Sequence, residues 1–142
     1  MYLLDTVVLS ELRKRRRDPG VVAWVERQRT ADLFLSVVTI GEIERGIALL
    51  KNDQDPEFAG ALVAWLDTVL VLYGDRILPF DLGASRRWGQ LSAVLGNDSA
   101  DLMIAATALE HGLAVVTRNV RDFAPTGVAV YNPFDPGLQL GA

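Results

Sequence analysis

Tyr2-Leu3-Leu4-Asp5-Thr6-Val7-Val8-Leu9-Ser10-Glu11 opens the chain with an apolar run, stopped by a carboxylate and continued as a helical pattern. A short run apolar on both faces suits a strand buried in the middle of a parallel sheet. Residues 1–5 therefore read as a central strand, and 6–15 as the helix that leaves it. Outward from there, short β-branched runs alternate with longer helical patterns, the signature of βαβ units. Strands are expected near 33–36, 77–80, 113–117 and 128–131. Helices are expected near 19–29, 39–51, 56–73, 82–95 and 99–111. Ile40, Ile43, Ile47 and Leu50 keep the three-four spacing of one buried helical stripe, as do Phe58, Leu62, Trp65, Leu66 and Val69. Asn52 to Pro56 reads as a turn. The expected fold is α/β, with a mainly parallel central sheet of about five strands flanked by helices. No repeat or linker divides the chain, so residues 1–142 read as a single domain, with 133–142 as an extended tail.

A chain of 142 residues, half of them hydrophobic, can bury a real core. With no cysteine, disulfides, thiolate metal sites and a Cys nucleophile are excluded. Asp5 interrupts the N-terminal apolar run, which argues against a signal peptide. The apolar stretch Ala61 to Tyr73 is broken by Asp67 and reads as too short for a bilayer. A cytoplasmic, non-membrane protein is the expectation. The net charge of −4 argues mildly against a nucleic-acid partner, but twelve of the fourteen basic residues are Arg, and they cluster. A local patch decides binding where the average charge does not.

Four carboxylates fall where an open α/β sheet would gather them. Asp5 ends the first strand, Glu42 lies soon after the second, and Asp122 follows Ala114-Val115-Val116-Thr117. Asp101 opens the helix that leads into that same strand. Ligands of parallel sheets bind outside the carboxyl ends of the strands. Carboxylates held close together resist ionising together, and a hard divalent cation bound through oxygen would stabilise them. Each acid also has a plainer use. Asp5 serves equally as the N-cap of the first helix. Glu42 reads as a solvated helix residue, like Glu44. Asp98 and Asp101 have the spacing of a capping box. Asp122, near Arg118 and Arg121, reads as half of a surface ion pair. Their joint placement at one sheet edge is the specific signal.

Other catalysts are scarce. His111 is the single histidine, and Gly112 follows it, which suits a helix terminus. A Ser-His-Asp triad then has no suitable His, and cleavage by a His pair is impossible. There is no GxxxxGK[ST] loop and no GxGxxG turn. A carboxylate-held metal remains, which can lower the pKa of a bound water and clamp a phosphodiester for in-line attack. The run Arg13-Lys14-Arg15-Arg16-Arg17 exceeds what a helix end needs. Arg13, Arg15 and Arg16, with Arg118 and Arg121 beside the expected site, are candidate phosphate ligands, since Arg pairs with phosphate in a bidentate manner.

The segments Tyr2 to Glu11, Ser36-Val37-Val38-Thr39-Ile40-Gly41-Glu42-Ile43, Asp101-Leu102-Met103-Ile104-Ala105-Ala106-Thr107-Ala108 and Val116-Thr117-Arg118-Asn119-Val120-Arg121-Asp122-Phe123 stand in this order. Together they resemble the PIN-domain ribonucleases, and within them the VapC-type toxins of toxin–antitoxin pairs. The resemblance covers nearly the whole chain and implies a PIN-like three-layer fold. It also implies an endoribonuclease dependent on Mg2+ or Mn2+, using metal-activated water. It maps Asp5, Glu42 and Asp101 onto the family's metal-binding acids and Asp122 onto a less regular fourth. Thr6, Thr117 and Asn119 match supporting positions. It further implies a toxin homodimer and a cognate VapB-like antitoxin that blocks the site. Val21-Val22-Ala23-Trp24-Val25 is a candidate wall for an antitoxin groove, with burial in the core as the other reading.

Two other schemes collect acids at strand ends. A receiver domain would use Asp5, Asp81 and Thr117, but it resembles its relatives in a Lys after a late strand, and the lysines here are Lys14 and Lys51. A haloacid-dehalogenase-like phosphatase wants a second Asp where Val7 stands. A PIN fold without catalysis, acting as an interaction module, is the remaining alternative.

Overall fold

The computed structural model describes residues 1–52 and 55–135. The elements run β1 (Tyr2–Leu4), α1 (Thr6–Arg13), α2 (Pro19–Glu26), β2 (Leu33–Ser36), α3 (Val37–Asn52), α4 (Pro56–Tyr73), β3 (Ile77–Leu78), α5 (Leu82–Leu95), α6 (Ala100–His111), β4 (Ala114–Val116), α7 (Val120–Phe123) and β5 (Val130–Tyr131). The five strands form one sheet in the order β3-β2-β1-β4-β5. Every pairing is parallel: Leu3 lies opposite Phe34 on one side and Val115 on the other, Ser36 opposite Leu78, and Val116 opposite Tyr131. β1 is the central strand, so its carboxyl end lies in the middle of the sheet edge.

Successive side chains of a strand point to opposite faces, and this splits the core in two. Leu4, Leu33, Leu35 and Val116 face a cluster with Val8 and Leu9 of α1, Val21 and Trp24 of α2, Ile43 and Ile47 of α3, and Leu66 and Val69 of α4. Leu3, Val115 and Val130 face Ile104, Ala105 and Ala108 of α6 and Phe123 of α7. The sheet is thus a middle layer between two helical ones, as the three-layer expectation required. Trp24 belongs to the core and not to a groove wall. It is 4% exposed, meets Tyr2 edge-on at 4.9 Å between centroids and stacks on Tyr131 at 5.5 Å.

The helix ends show what periodicity alone does not. α1 stops at Arg13, not at 15, because the buried Glu11 carboxylate draws the chain round: its Oε1 accepts from Lys14 Nζ at 2.9 Å and its Oε2 from Asp18 N at 2.8 Å. These bonds also hold the Glu11 carboxyl below its usual range, the Lys14 bond foremost. Asp18 then caps α2 by accepting from Gly20 N and Val21 N, with Pro19 at the first helical position. α2 ends at Glu26. α3 begins at Val37, directly after β2, and its first turn uses Ser36 Oγ as acceptor for Val38 N at 3.0 Å. α6 ends at a left-handed Gly112 (φ 67°), with His111 in its last turn.

α4 together with the turn that follows, Pro56–Arg76, is long and apolar enough by length and composition to cross a membrane. This helical span thus runs beyond the stretch Ala61 to Tyr73 at both ends, and a core helix passes the same test of length and composition. Within the domain, Ala59, Leu66, Val69 and Tyr73 of this helix are buried in the core. Of the expected turn at Asn52 to Pro56, residues 53 and 54 lie outside the described residues, as do 136–142 of the expected tail. Pro133 and Asn132 are buried, and Phe134 N donates to Asn132 Oδ1 at 2.9 Å, so the chain just after β5 is docked against the domain.

Candidate active site

Asp5 follows the last residue of β1 and extends the ladder, donating from its N–H to Val116 O at 2.9 Å. The plainer placement of Asp5, at the N-cap of α1, is the one observed. Its side chain accepts from Thr6 N, at 2.8 Å, and not from the two following N–H groups that a cap usually serves. Its second oxygen, Oδ2, accepts from the Thr117 hydroxyl at 2.7 Å. Asp5 is 2% exposed. Burial lifts its carboxyl above the usual range. The bonds from Thr117 and Thr6 oppose that shift, and the charges of Glu42 and Asp122 add to it.

Thr117 continues β4 and donates from N–H to Tyr131 O at 2.9 Å. Its hydroxyl oxygen also accepts from Asn119 N at 2.9 Å. Asn119 thus supports the site through its backbone, by folding the loop that leads to α7. On the other side, the Thr6 hydroxyl donates to Glu42 Oε1 at 2.7 Å and lies 3.0 Å from the hydroxyl of the buried Thr39. A hydroxyl has one proton, so with that proton on Glu42 the Thr39 hydroxyl is the donor in the second bond. Glu42 is exposed, at the second turn of α3, and this bond ties it to the start of α1.

Asp101 sits in the first turn of α6, behind Ser99 at the N-cap. Ser99, not Asp98, holds the N-cap position, and its side chain makes no capping hydrogen bond. The Asp101 carboxyl is pushed up to about 6, by burial first, then by the charges of Asp5, Asp122 and Glu42, and by a hydrogen bond to Asp122 that only a protonated carboxyl can make. Asp122, exposed on α7, lines a cleft of about 430 Å³ with Asp101, Arg121, Ser99 and Asn97. The structure therefore brings all four acids into one electrostatic neighbourhood at the carboxyl edge of the sheet. Among the described residues, no three of them form a group already positioned to share one metal ion.

The basic residues divide. Arg121 lines the cleft with the acids. Arg118 lies over the Phe134 ring at 3.8 Å from its centroid and adds to the positive field at Glu11. Arg13 is half-buried and lies over Phe58, 5.3 Å from the centroid. Arg15 and Arg16 are exposed in the bend after α1. Among the described residues, no ion pair or hydrogen bond joins Arg13, Arg15 or Arg16 to the four acids. His111 lies 3.9 Å from Asp81 at the far end of α6, the helix-terminus role expected for it. Sequence reasoning missed Thr39. Its signal was a hydroxyl three residues before Glu42, on the face that carries the buried Ile43.

The PIN domain family profile matches residues 2–127. The chain is 38% identical to a VapC ribonuclease, Y4jK, of Sinorhizobium fredii, over 96% of this chain and 99% of that one. It is 36% identical to the toxin FitB of Neisseria gonorrhoeae, over 94% and 99%. The crystal structure of FitAcB from the same organism superposes with a TM-score of 0.83 at 36% identity, covering 94% of this chain and 99% of that one. The matched span takes in every one of the four acids and both supporting threonines, and the chain belongs to the PIN domain family.

Proposed function

We propose that this chain is an endoribonuclease toxin that uses Mg2+ or Mn2+ and is restrained by a cognate antitoxin. The observation that carries the reading is the convergence of Asp5, Glu42, Asp101 and Asp122, where burial first and then the charges of the other three raise the Asp101 carboxyl to about 6. The donor set is oxygen alone, which fits a hard divalent cation. Because no three of the acids stand ready to share an ion, binding has to draw them together, with Asp5, Glu42 and Asp101 as ligands. When bound, such an ion lowers the pKa of water and polarises a phosphodiester.

The chain's own groups divide the remaining work. Asp5 is held by two hydrogen bonds and serves as the fixed reference. Thr6 aims Glu42. Asp122, which lines the cleft with Asp101, would take a proton from an attacking water. Arg121 offers a bidentate contact to the phosphate. The relatives' names, a ribonuclease and a toxin, agree with this assignment, as does the FitAB complex bound to DNA, similar at a TM-score of 0.82, for an antitoxin partner. A toxin homodimer is part of the same proposal. A metal titration tests the reading. Mg2+ or Mn2+ should raise Tm and enable RNA cleavage, and Asp5→Asn should abolish both effects. Cleavage that persists in a chelator refutes the metal role. A metal-stabilised chain that cuts no RNA would be the interaction module.

A further inference from the structure

Beyond the acid cleft lies a second cleft of about 340 Å³, between α5, α6 and the turn after α7. The two share Leu95 and Pro125 as walls, so these residues form a saddle between them. The second cleft is apolar through Leu91, Leu95, Leu109 and Pro125, and it closes at its far end on Arg87 and Gln90. Those two residues in turn border a third, polar cleft with Arg86 and Glu110. The order along the surface is therefore carboxylates, apolar saddle and trough, then guanidinium and amide.

We propose that this trough receives the nucleobase next to the scissile phosphate of single-stranded RNA, with Gln90 on the base edge and Arg87 on the following phosphate. The proposal rests on the ribonuclease reading of the neighbouring acids. Three observations favour this occupant. The trough continues from the site where the phosphodiester would be cut. Its volume lies within the range of small-ligand pockets, about 300–1000 Å³, with apolar walls against which a base can pack. Its charge changes from negative at the acids to net positive at its far end, where Arg86 and Arg87 outnumber the one carboxylate, Glu110, as successive phosphates require once the first is met through a cation.

Arg87 is built for a fixed contact. Its Nε donates to Glu110 Oε2 at 2.6 Å, which leaves the terminal nitrogens of the guanidinium for a second acceptor. Gly83 leaves room for this arrangement: a Cβ there would fall 2.6 Å from Glu110 Cδ and push the carboxylate aside. Thr126, also on the trough wall, has its hydroxyl engaged with Phe123 O at 2.6 Å and Val128 N at 3.3 Å, so it is not free to read a base.

The test combines binding and cleavage on the full chain. Short single-stranded oligoribonucleotides of each base are titrated into Asp5→Asn protein with methyl-labelled Leu, and wild-type cleavage positions are mapped on a mixed-sequence RNA. The expected result is a shift of the Leu91 and Leu109 methyls. In cleavage, Gln90→Leu should flatten the base preference beside the cut. Arg87→Gln should weaken RNA binding ~3- to 10-fold and reduce its salt slope by about 1. Gly83→Ala, which displaces Glu110 without touching Arg87, should also change binding. Cleavage with unmoved methyls and an unchanged preference overturns the trough while leaving the nuclease intact. Methyl shifts without any cleavage support the trough and overturn the nuclease. Shifts that follow protein concentration and ignore RNA place a second copy of the chain there and overturn the proposal.

Discussion

The Thr117 hydroxyl gives its proton to Asp5 Oδ2 at 2.7 Å while its oxygen takes the Asn119 N–H at 2.9 Å. One buried side chain thus joins the end of β1 to the loop that leads into α7 and Asp122. We expect Thr117→Val, close in shape but without the hydroxyl, to leave the Asn119 N–H without its acceptor and Asp5 without a donor. The cost should be about 1–3 kcal/mol, the usual penalty for a buried polar group left unpaired. Urea unfolding would show it as a lower midpoint at unchanged m-value. An unchanged midpoint would mean that water replaces the hydroxyl without loss.

Most of this frame can be read from residue order, and the exceptions are physical. Alternation of β-branched and helical patterns located all five strands; the inner strands β1, β2 and β4 are mostly buried, while the edge strand β3 is only half-buried. The four acids were legible because a parallel sheet delivers its strand ends to one edge. α7 was not, since Val120–Phe123 is too short to show a period. The early stop of α1 was hidden because Glu11 ends the helix through bonds to Lys14 and Asp18, which sequence spacing does not report. Trp24 was ambiguous between core and groove because a helical period gives a face and not what covers it. Thr6 and Thr117 emerged only by resemblance, and their division of labour, one on Glu42 and one on Asp5, needed coordinates.

The pH dependence of the metal-free protein follows from Asp101. Its folded carboxyl is raised from 3.8 to about 6. Between those values the folded state binds the extra proton, so stability falls as pH rises through that window. The same sign holds for Asp5. Since Asp101 is only partly buried, solvent screening reduces its share to on the order of 1 kcal/mol. Asp101→Asn should remove that share and leave the protein more stable near neutral pH when unfolding is followed in chelator. A stability that instead rises from pH 4 to pH 6 more steeply in wild type than in the variant would contradict the sign.

Trp24 tests the fold. It is sandwiched between Tyr2 and Tyr131 across the sheet face. Trp24→Ala should destabilise the domain by about 3–5 kcal/mol. A loss below about 1 kcal/mol would mean that the residue serves a surface instead. Denaturant unfolding at fixed protein concentration separates the outcomes.

The arginines should differ in their effects. Arg121 lines the acid cleft, so Arg121→Ala should weaken RNA binding and lower the salt slope by about 1. Neutralising Arg15 and Arg16 together should lower it further if the bend after α1 holds phosphate. Arg13→Ala should mainly lose the contact over Phe58, worth about 0.5–2 kcal/mol of stability at a half-buried site. Salt titrations of binding, with unfolding run in parallel, separate the two kinds of loss. An unchanged slope in the Arg15, Arg16 pair would confine that cluster to solvating the helix end.

Asp5 allows a sharper separation of charge from architecture. Its two oxygens accept from Thr6 N and Thr117 Oγ1. Asn can keep the first bond through its carbonyl oxygen. Its amide can donate to Thr117 Oγ1, which retains a lone pair beside the one used by Asn119. The substitution also removes a buried charge that repels Glu42 and Asp122. Asp5→Asn should therefore fold with a stability within about 1 kcal/mol of wild type in chelator, or above it. Asp5→Ala removes both acceptors and leaves the Thr6 N–H and the Thr117 hydroxyl unpaired, at about 1–3 kcal/mol for each group that stays dry. Both variants should lose stabilisation by Mg2+ or Mn2+. If Asp5→Asn unfolds as readily as Asp5→Ala, the carboxylate is needed for folding itself. If Asp5→Asn keeps the metal response, Asp5 is not a ligand.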